Sequence, residues 1–288
     1  MKVSQETVCL RSQGDELAGV LFLPEGDHPA PVLIICHGAG EFKENYFELC
    51  EVLAGRGVAT LAIDMHGHGA SAGERYYVNM RQWVADIRAA IDYLLTNPRI
   101  DGQRIGAFGL SSGGTAILEA AMVEPRLKAL VTLDATVRDS LPWGTALFLK
   151  LLVVCGRIKK WLTCRDLRVP LAKFSTGCKM AADPDVEERL QSDPRLRAAF
   201  MDFPFPGAEQ AFFVDTLSRV SQIAVPTLVL WGEEDKFDSP ETGRLLYEAL
   251  ACRKQFHIIQ GNGHVGHLDR NRDKVFTLTA DWVLRTLV

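Results

Sequence analysis

No stretch of this 288-residue chain stays apolar for the ~20 residues a membrane-spanning helix needs. The longest candidate, Ala146 to Cys155, is interrupted by Lys150, so no integral membrane segment is expected. The N-terminus, Met1 to Gly14, is mixed polar and lacks the apolar core of a signal peptide, so none is expected. No long block of Lys or Arg occurs and the formal net charge is −4, which gives no ground for a nucleic-acid partner. The seven cysteines (Cys9, Cys36, Cys50, Cys155, Cys164, Cys178 and Cys252) are odd in number and contain no C-x-x-C pair. That argues against a disulfide framework or a thiol enzyme. They are expected to be reduced, buried small hydrophobes, which favours a cytoplasmic location.

What is present is apolar content, at 47% of residues, enough for one large domain or two small ones. Strand-like and helix-like segments alternate, which predicts a mostly parallel sheet covered on both faces. Thr7–Leu10 and Leu17–Leu23 read as an antiparallel hairpin. Val32–Cys36, Val58–Ile63, Ala129–Leu133, Thr227–Trp231 and Phe256–Ile259 read as strands. Helices are expected over Phe47–Arg56, Met80–Thr96, Pro240–Leu250 and Asp273–Leu287. In the second of these, Trp83, Ile87, Ile91 and Leu94 recur at helical spacing. The alternation breaks between Thr136 and Gln222, too long for a simple connection. This segment is expected to be an inserted helical cap (136–222), with helices at Leu141–Cys155, Pro184–Ser192 and Pro194–Met201 and a breaker at Phe203-Pro204-Phe205-Pro206-Gly207. Residues 1–135 and 223–288 then form the core.

The chemistry concentrates in Gly109-Leu110-Ser111-Ser112-Gly113, which follows an apolar run and precedes a helical one (Thr115–Glu124). G-x-S-x-G between strand and helix signals a nucleophilic serine on a strained turn, with glycines where side chains would collide. A serine hydroxyl needs a base, an orienting acid and an oxyanion site. His264, in the Gly-rich loop Gly261-Asn262-Gly263-His264 after the last strand, is the expected base, with His267 its rival. His257, within a strand, reads as a packed or edge residue. Asp235, just past Thr227–Trp231, is the expected acid. Asp238, Glu234 and Asp134 are the fallbacks, and all but one of Glu233, Glu234, Asp235 and Asp238 are expected to form a solvated acidic turn. His37-Gly38-Ala39-Gly40 after Val32–Cys36 supplies backbone amides; those of Ala39 and Ser112 are the expected oxyanion donors. The order Ser111, Asp235, His264 places all three at the carboxyl ends of strands, where open α/β sheets bind ligands.

These pieces, with Asp64-Met65-His66-Gly67-His68-Gly69-Ala70-Ser71, resemble the α/β-hydrolases. The resemblance is narrower to the monoacylglycerol lipase, serine aminopeptidase and bacterial carboxylesterase branch. It covers the core from about residue 15 onward and no motif of the cap. It implies an α/β-hydrolase fold, an eight-stranded mostly parallel sheet flanked by helices, with the cap after the sixth strand. It also implies hydrolysis of a small-molecule carboxylic ester through an acyl-enzyme, without cofactor or metal. One departure is His66, where the family pattern has arginine, which is expected to cost a structural ion pair. The apolar cap helix and Phe203, Phe205, Phe212 and Phe213 suggest an apolar acyl or aryl group. Arg157, Lys159, Lys160 and Arg165 beside that helix leave open a peripheral membrane contact. A thioesterase, or an amidase or aminopeptidase using Glu187, Glu188 or Glu209 to hold a substrate amine, is the alternative on the same residues. A non-catalytic binding protein of the same fold is the alternative of another class.

Overall fold

The computed structural model describes residues 2–26, 28–171 and 179–287; Cys178 and a short part of the expected cap lie outside the described residues. The chain opens on β1 (Val3–Ser12) and β2 (Asp15–Pro24), an antiparallel hairpin. Then follow β3 (Ala30–Cys36), α1 (Phe47–Gly55), β4 (Ala59–Ile63), α2 (Met80–Leu94), β5 (Ile100–Leu110), α3 (Ser112–Ala121) and β6 (Leu127–Leu133). After a long excursion come β9 (Thr227–Gly232), α7 (Pro240–Ala249), β10 (Lys254–Ile259) and α8 (Arg272–Leu287). Eight strands make one sheet in the order β1-β2-β4-β3-β5-β6-β9-β10. It is parallel from β4 to β10 and antiparallel at its β1-β2-β4 edge.

The parallel strands β3, β4 and β9 are buried along their whole length, which explains their unbroken apolar runs. In β3 the period of two splits the strand between two cores. Val32, Ile34 and Cys36 join Trp83, Ile87 and Ile91 of α2. Leu33 and Ile35 join Leu49 and Leu53 of α1 and Trp282 and Val283 of α8. Trp83 is fully buried; its truncation to Ala would cost about 3–5 kcal/mol. Asn79 starts α2 by accepting from the Gln82 amide at 3.3 Å.

Between β6 and β9 lie α4 (Trp143–Thr163), β7 (Leu167–Val169), α5 (Pro184–Ser192), α6 (Pro194–Met201) and β8 (Phe203–Phe205). α5 and α6 begin as their Asp-Pro pairs dictate: Asp183 and Asp193 cap the first amides, and proline takes the first helical position. Two expectations need correction here. The apolar helix does not stop at Cys155 but runs to Thr163, where Cys164 turns left-handed at φ 54°. Gly156 lets it pass close to β8, since a Cβ there would lie 2.5 Å from the Phe205 carbonyl oxygen. The expected breaker at Phe203 is instead a strand, paired antiparallel with β7. The cysteines also divide: Cys36 and Cys50 are buried, whereas Cys9, Cys155 and Cys164 are exposed. All described cysteines are free thiols.

Candidate active site

The loops leaving β3, β5, β6, β9 and β10 meet at the carboxyl edge of the sheet. β5 ends at Leu110 and α3 starts at Ser112, which leaves Ser111 alone to reverse the chain. Its backbone sits at φ 51°, ψ −121°, a strained conformation for any residue with a side chain. The turn closes only over glycines. A Cβ on Gly109 would lie 2.3 Å from the Gly113 oxygen, and one on Gly113 2.4 Å from the Cys36 oxygen. The Ser111 amide donates to Leu133 O at 3.0 Å, and its carbonyl accepts from Thr115 N at 3.0 Å.

His264 and Asp235 are brought together. Nδ1 of His264 donates to Asp235 Oδ2 at 2.8 Å. The other oxygen, Oδ1, accepts from the amides of Phe237 at 2.8 Å and Asp238 at 3.1 Å. A carboxylate that accepts at both oxygens sets the imidazole tautomer with Nδ1 protonated. The loops carrying the two residues touch directly, because Gly232 has no side chain: a Cβ there would lie 2.2 Å from Gly263 O. Burial opposes a charge on His264, but Asp235, with Asp238 behind it, outweighs burial and raises the pKa above 6.5.

The fallback acids do other work. Asp134, at φ 47°, accepts from the Gly232 amide at 2.7 Å through Oδ1, and its buried Oδ2 has no partner. Burial and the neighbouring Asp235 charge push its pKa well up, which favours its neutral form. Asp238 is not in a solvated turn. It is buried and accepts from Thr136 Oγ1 at 2.7 Å and Ser140 Oγ at 2.9 Å. Thr136 Oγ1 in turn lies 3.4 Å from Ser111 Oγ. Glu233 and Glu234 are exposed, as expected of such a turn.

The rival base is elsewhere. His267 is fully enclosed, stacked on Tyr46 at 4.1 Å between ring centroids, and neither ring nitrogen has a hydrogen-bond partner. Burial drives its pKa down to about 4. His257 lies half-buried on the edge strand β10.

The His37–Gly40 loop abuts the serine: a Cβ on Gly38 would lie 3.3 Å from Ser111 Cβ. His37 Nδ1 donates to Gly38 O at 2.7 Å and Nε2 accepts from Met65 N at 3.0 Å, so this ring is neutral and structural. Gly38 O also accepts from Glu41 N at 3.2 Å, and Gly38 N donates to Glu41 Oε2 at 3.0 Å. Both polar groups of Gly38 are therefore engaged. Its carbonyl is pinned, so the trans peptide turns the Ala39 N–H the opposite way. Ser112 begins α3, where first-turn amides have no intrahelical acceptor.

His66 does not forfeit its ion pair. Its Nδ1 meets buried Asp86 Oδ1 at 2.5 Å and its Nε2 meets Asp15 Oδ2 at 3.3 Å. The imidazole thus stands between two carboxylates, where the expectation was a lost contact. Residues not anticipated from the sequence also shape the site. Glu41 anchors Gly38 and accepts from Tyr46 Oη at 2.6 Å. Asp269, fully buried, gathers the amides of Gly263, Ala182, Asp183 and Arg270 at 2.6–2.9 Å. Glu41 could have been noticed as an acid directly after the glycine loop; Asp269 carries no comparable signal.

This sheet, with a strained serine after β5 and a histidine–aspartate pair after β10 and β9, has the architecture of an α/β-hydrolase. The chain belongs to the family described as serine aminopeptidase, S33, whose model matches residues 27–271. It is 28% identical over 246 residues to a 31.7 kDa protein from the traX-finO intergenic region of Escherichia coli, covering 80% of this chain and 81% of that one. It is 26% identical over 256 residues to a monoglyceride lipase homolog of Monkeypox virus, covering 86% of each. Among solved structures, the α/β-hydrolase GrgF from Penicillium sp. sh18 superposes with a TM-score of 0.79 at 18% identity, over 100% of this chain and 99% of that one.

Proposed function

We propose that this hydrolase cleaves carboxylic esters bearing an apolar acyl or aryl group, with Ser111 as nucleophile, His264 as base and Asp235 as orienting acid. The observation that carries the proposal is the 2.8 Å Asp235–His264 bond beside a serine at φ 51°. With Nδ1 engaged, Nε2 is the nitrogen that takes the Ser111 proton as Oγ attacks the carbonyl carbon. The resulting oxyanion is held by the Ala39 and Ser112 amides; losing one such donor costs about 10²–10³ in turnover. Collapse expels the alcohol, which receives the proton from His264. Water then gives its proton to His264 and attacks the acyl-enzyme, and the acid leaves as Ser111 is reprotonated. On this reading residues 136–222 act as the cap, and its Ala199 and Phe200 face the oxyanion loop. A Cβ on Gly40 would lie 3.3 Å from Ala199 Cβ and 3.5 Å from the Phe200 ring. The lipase homolog among the relatives supports ester over amide chemistry.

Aminopeptidase chemistry is less favoured because two of its three candidate amine ligands are occupied and the third, Glu188, lies exposed on α5. Glu187 is buried and accepts from the Met180 and Ala181 amides, both at 2.9 Å. Glu209 pairs with Arg157 at 2.9 Å. The test is hydrolysis of p-nitrophenyl esters from acetate to palmitate, alongside fluorophosphonate labelling. Wild type should turn over and label, and Ser111→Ala should lose both, with turnover down by on the order of 10⁶. Labelling without ester turnover would redirect the search to thioesters and amides. Folded wild type that does neither would refute a serine hydrolase.

A further inference from the structure

The outer face of α4 is apolar and uncovered among the described residues. Trp143, Leu147, Leu151, Val154, Ile158 and Trp161 are each 48–82% exposed. At about 100° per residue they fall within an arc of roughly 80°. Ala146, Leu149, Val153 and Gly156 occupy the opposite side and are buried, with Gly156 against Phe205. The inner face thus fixes which way the outer one points. Apolar surface of this extent on a lone helix marks a docking face.

We propose that α4 lies flat in the surface of a bilayer containing anionic phospholipid. Its composition selects that occupant. The helix carries Lys150, Arg157, Lys159 and Lys160 and no Asp or Glu. Lys150 and Arg157 border one edge of the stripe. Lys150 and Arg157 are balanced within the protein by Asp139 and Glu209. Lys159 and, just past the helix, Arg165 have no carboxylate partner among the described residues and remain for lipid phosphate. Tryptophan stands at both ends of the stripe, about 27 Å apart along the axis. Indole rings favour the headgroup level, and the aliphatic residues between them reach the acyl boundary. No described helix is long and apolar enough to cross a membrane, so the helix rests in the plane. Docking there would bring the site to lipid esters at their source, a consequence that rests on the ester-hydrolase reading; the docking itself does not.

The test is co-sedimentation of the full chain with vesicles of phosphatidylcholine alone and of phosphatidylcholine with phosphatidylglycerol, read beside tryptophan fluorescence. Expected is sedimentation with the mixed vesicles and a blue shift, because Trp143 and Trp161 are the exposed indoles while Trp83, Trp231 and Trp282 are buried. Leu151→Glu with Ile158→Glu should weaken binding at least tenfold while circular dichroism stays native. Ser111→Ala should bind as wild type does, which separates docking from catalysis. Absence of binding to mixed vesicles would overturn the proposal, as would undiminished binding of the double variant. Equal binding to both compositions would overturn the anionic preference. A dimer that the double variant dissolves, in protein that ignores vesicles, would assign the stripe to a self-interface.

Discussion

Asp269 Oδ2 accepts the Gly263 amide at 2.6 Å and the Ala182 amide at 2.8 Å. One oxygen thus joins the loop that carries His264 to the segment between β6 and β9. Its Oδ1 holds Asp183 N at 2.9 Å and Arg270 N at 2.8 Å. The carboxylate positions His264 through Gly263. Asp269→Asn should be as harmful as Asp269→Ala, because the amide nitrogen would confront two N–H donors. Hydrogen bonds to a charged group contribute about 1.5–3 kcal/mol each. Either variant is expected to lower the midpoint of thermal unfolding and to reduce kcat at least tenfold with KM within about threefold. A loss of stability with unchanged kcat would show that Asp269 serves the fold alone.

Asp134 and Asp235 lie together near His264, yet they should respond oppositely to the same substitution. Asp235 accepts from His264 Nδ1 and from two backbone amides, so on the proposed mechanism Asp235→Asn should cost about 10⁴ in kcat, as losing the tautomer-setting carboxylate does in serine proteases. Burial and the Asp235 charge push the Asp134 pKa well up, which favours its neutral form. Asparagine preserves a neutral group of that shape and the acceptor for Gly232 N. Asp134→Asn is therefore expected to keep activity within about threefold, and Asp134→Ala to lose more. Steady-state kinetics of the three variants checks this, and equal losses in the two asparagine variants would contradict it.

The same cluster sets the pH dependence. Burial of His264 works against its charge, but Asp235, with Asp238 behind it, raises its pKa above 6.5. A base must be neutral to act, so kcat/KM should rise with pH along a limb centred above 6.5. Removing one negative charge removes part of the elevation. Asp238→Asn is expected to move that limb to lower pH, and the residual activity of Asp235→Asn should show a larger move. The pH profile of kcat/KM is the measurement; a limb that stays put in both variants would detach the carboxylates from the titration.

The serine elbow was legible because its sterics act on contiguous residues: Gly109 and Gly113 must lack side chains for the turn to close. Asp235 and His264 were legible for a related reason, since each follows a buried strand and topology sends both loops to one edge. Glu41, Tyr46 and Asp269 were not anticipated, and His267 was weighed only as a rival base, because their roles are made by pairings between distant loops that leave no periodic trace. β7 and β8 were missed because three-residue strands carry too little alternation and Pro204 reads as a breaker. The end of α4 was misjudged at Gly156, where close approach to β8 outweighs poor helix propensity. The His66 substitution was read as a loss because the sequence does not show Asp86 and Asp15 converging on it.

That convergence has a measurable consequence for stability. Burial disfavours the His66 imidazolium, but Asp86 and then Asp15 outweigh it and raise the pKa above 6.5. A group whose pKa is raised on folding stabilises fully below its unfolded value of about 6.5. That stabilisation fades as pH climbs through the folded value. His264 contributes with the same sign, so the wild-type curve alone does not isolate His66. His68 and His267 have the opposite sign: burial lowers them to about 3 and about 4, so each opposes folding as pH falls below 6.5. The difference between wild type and His66→Gln cancels all three. Urea unfolding of both proteins from pH 5.5 to 9 should therefore give a gap that is largest at the acid end and shrinks as pH rises, because glutamine has no charge to lose. A gap that is constant across the range would mean that His66 is held by hydrogen bonding without net charge, and that the two carboxylates do not sustain an imidazolium in the fold.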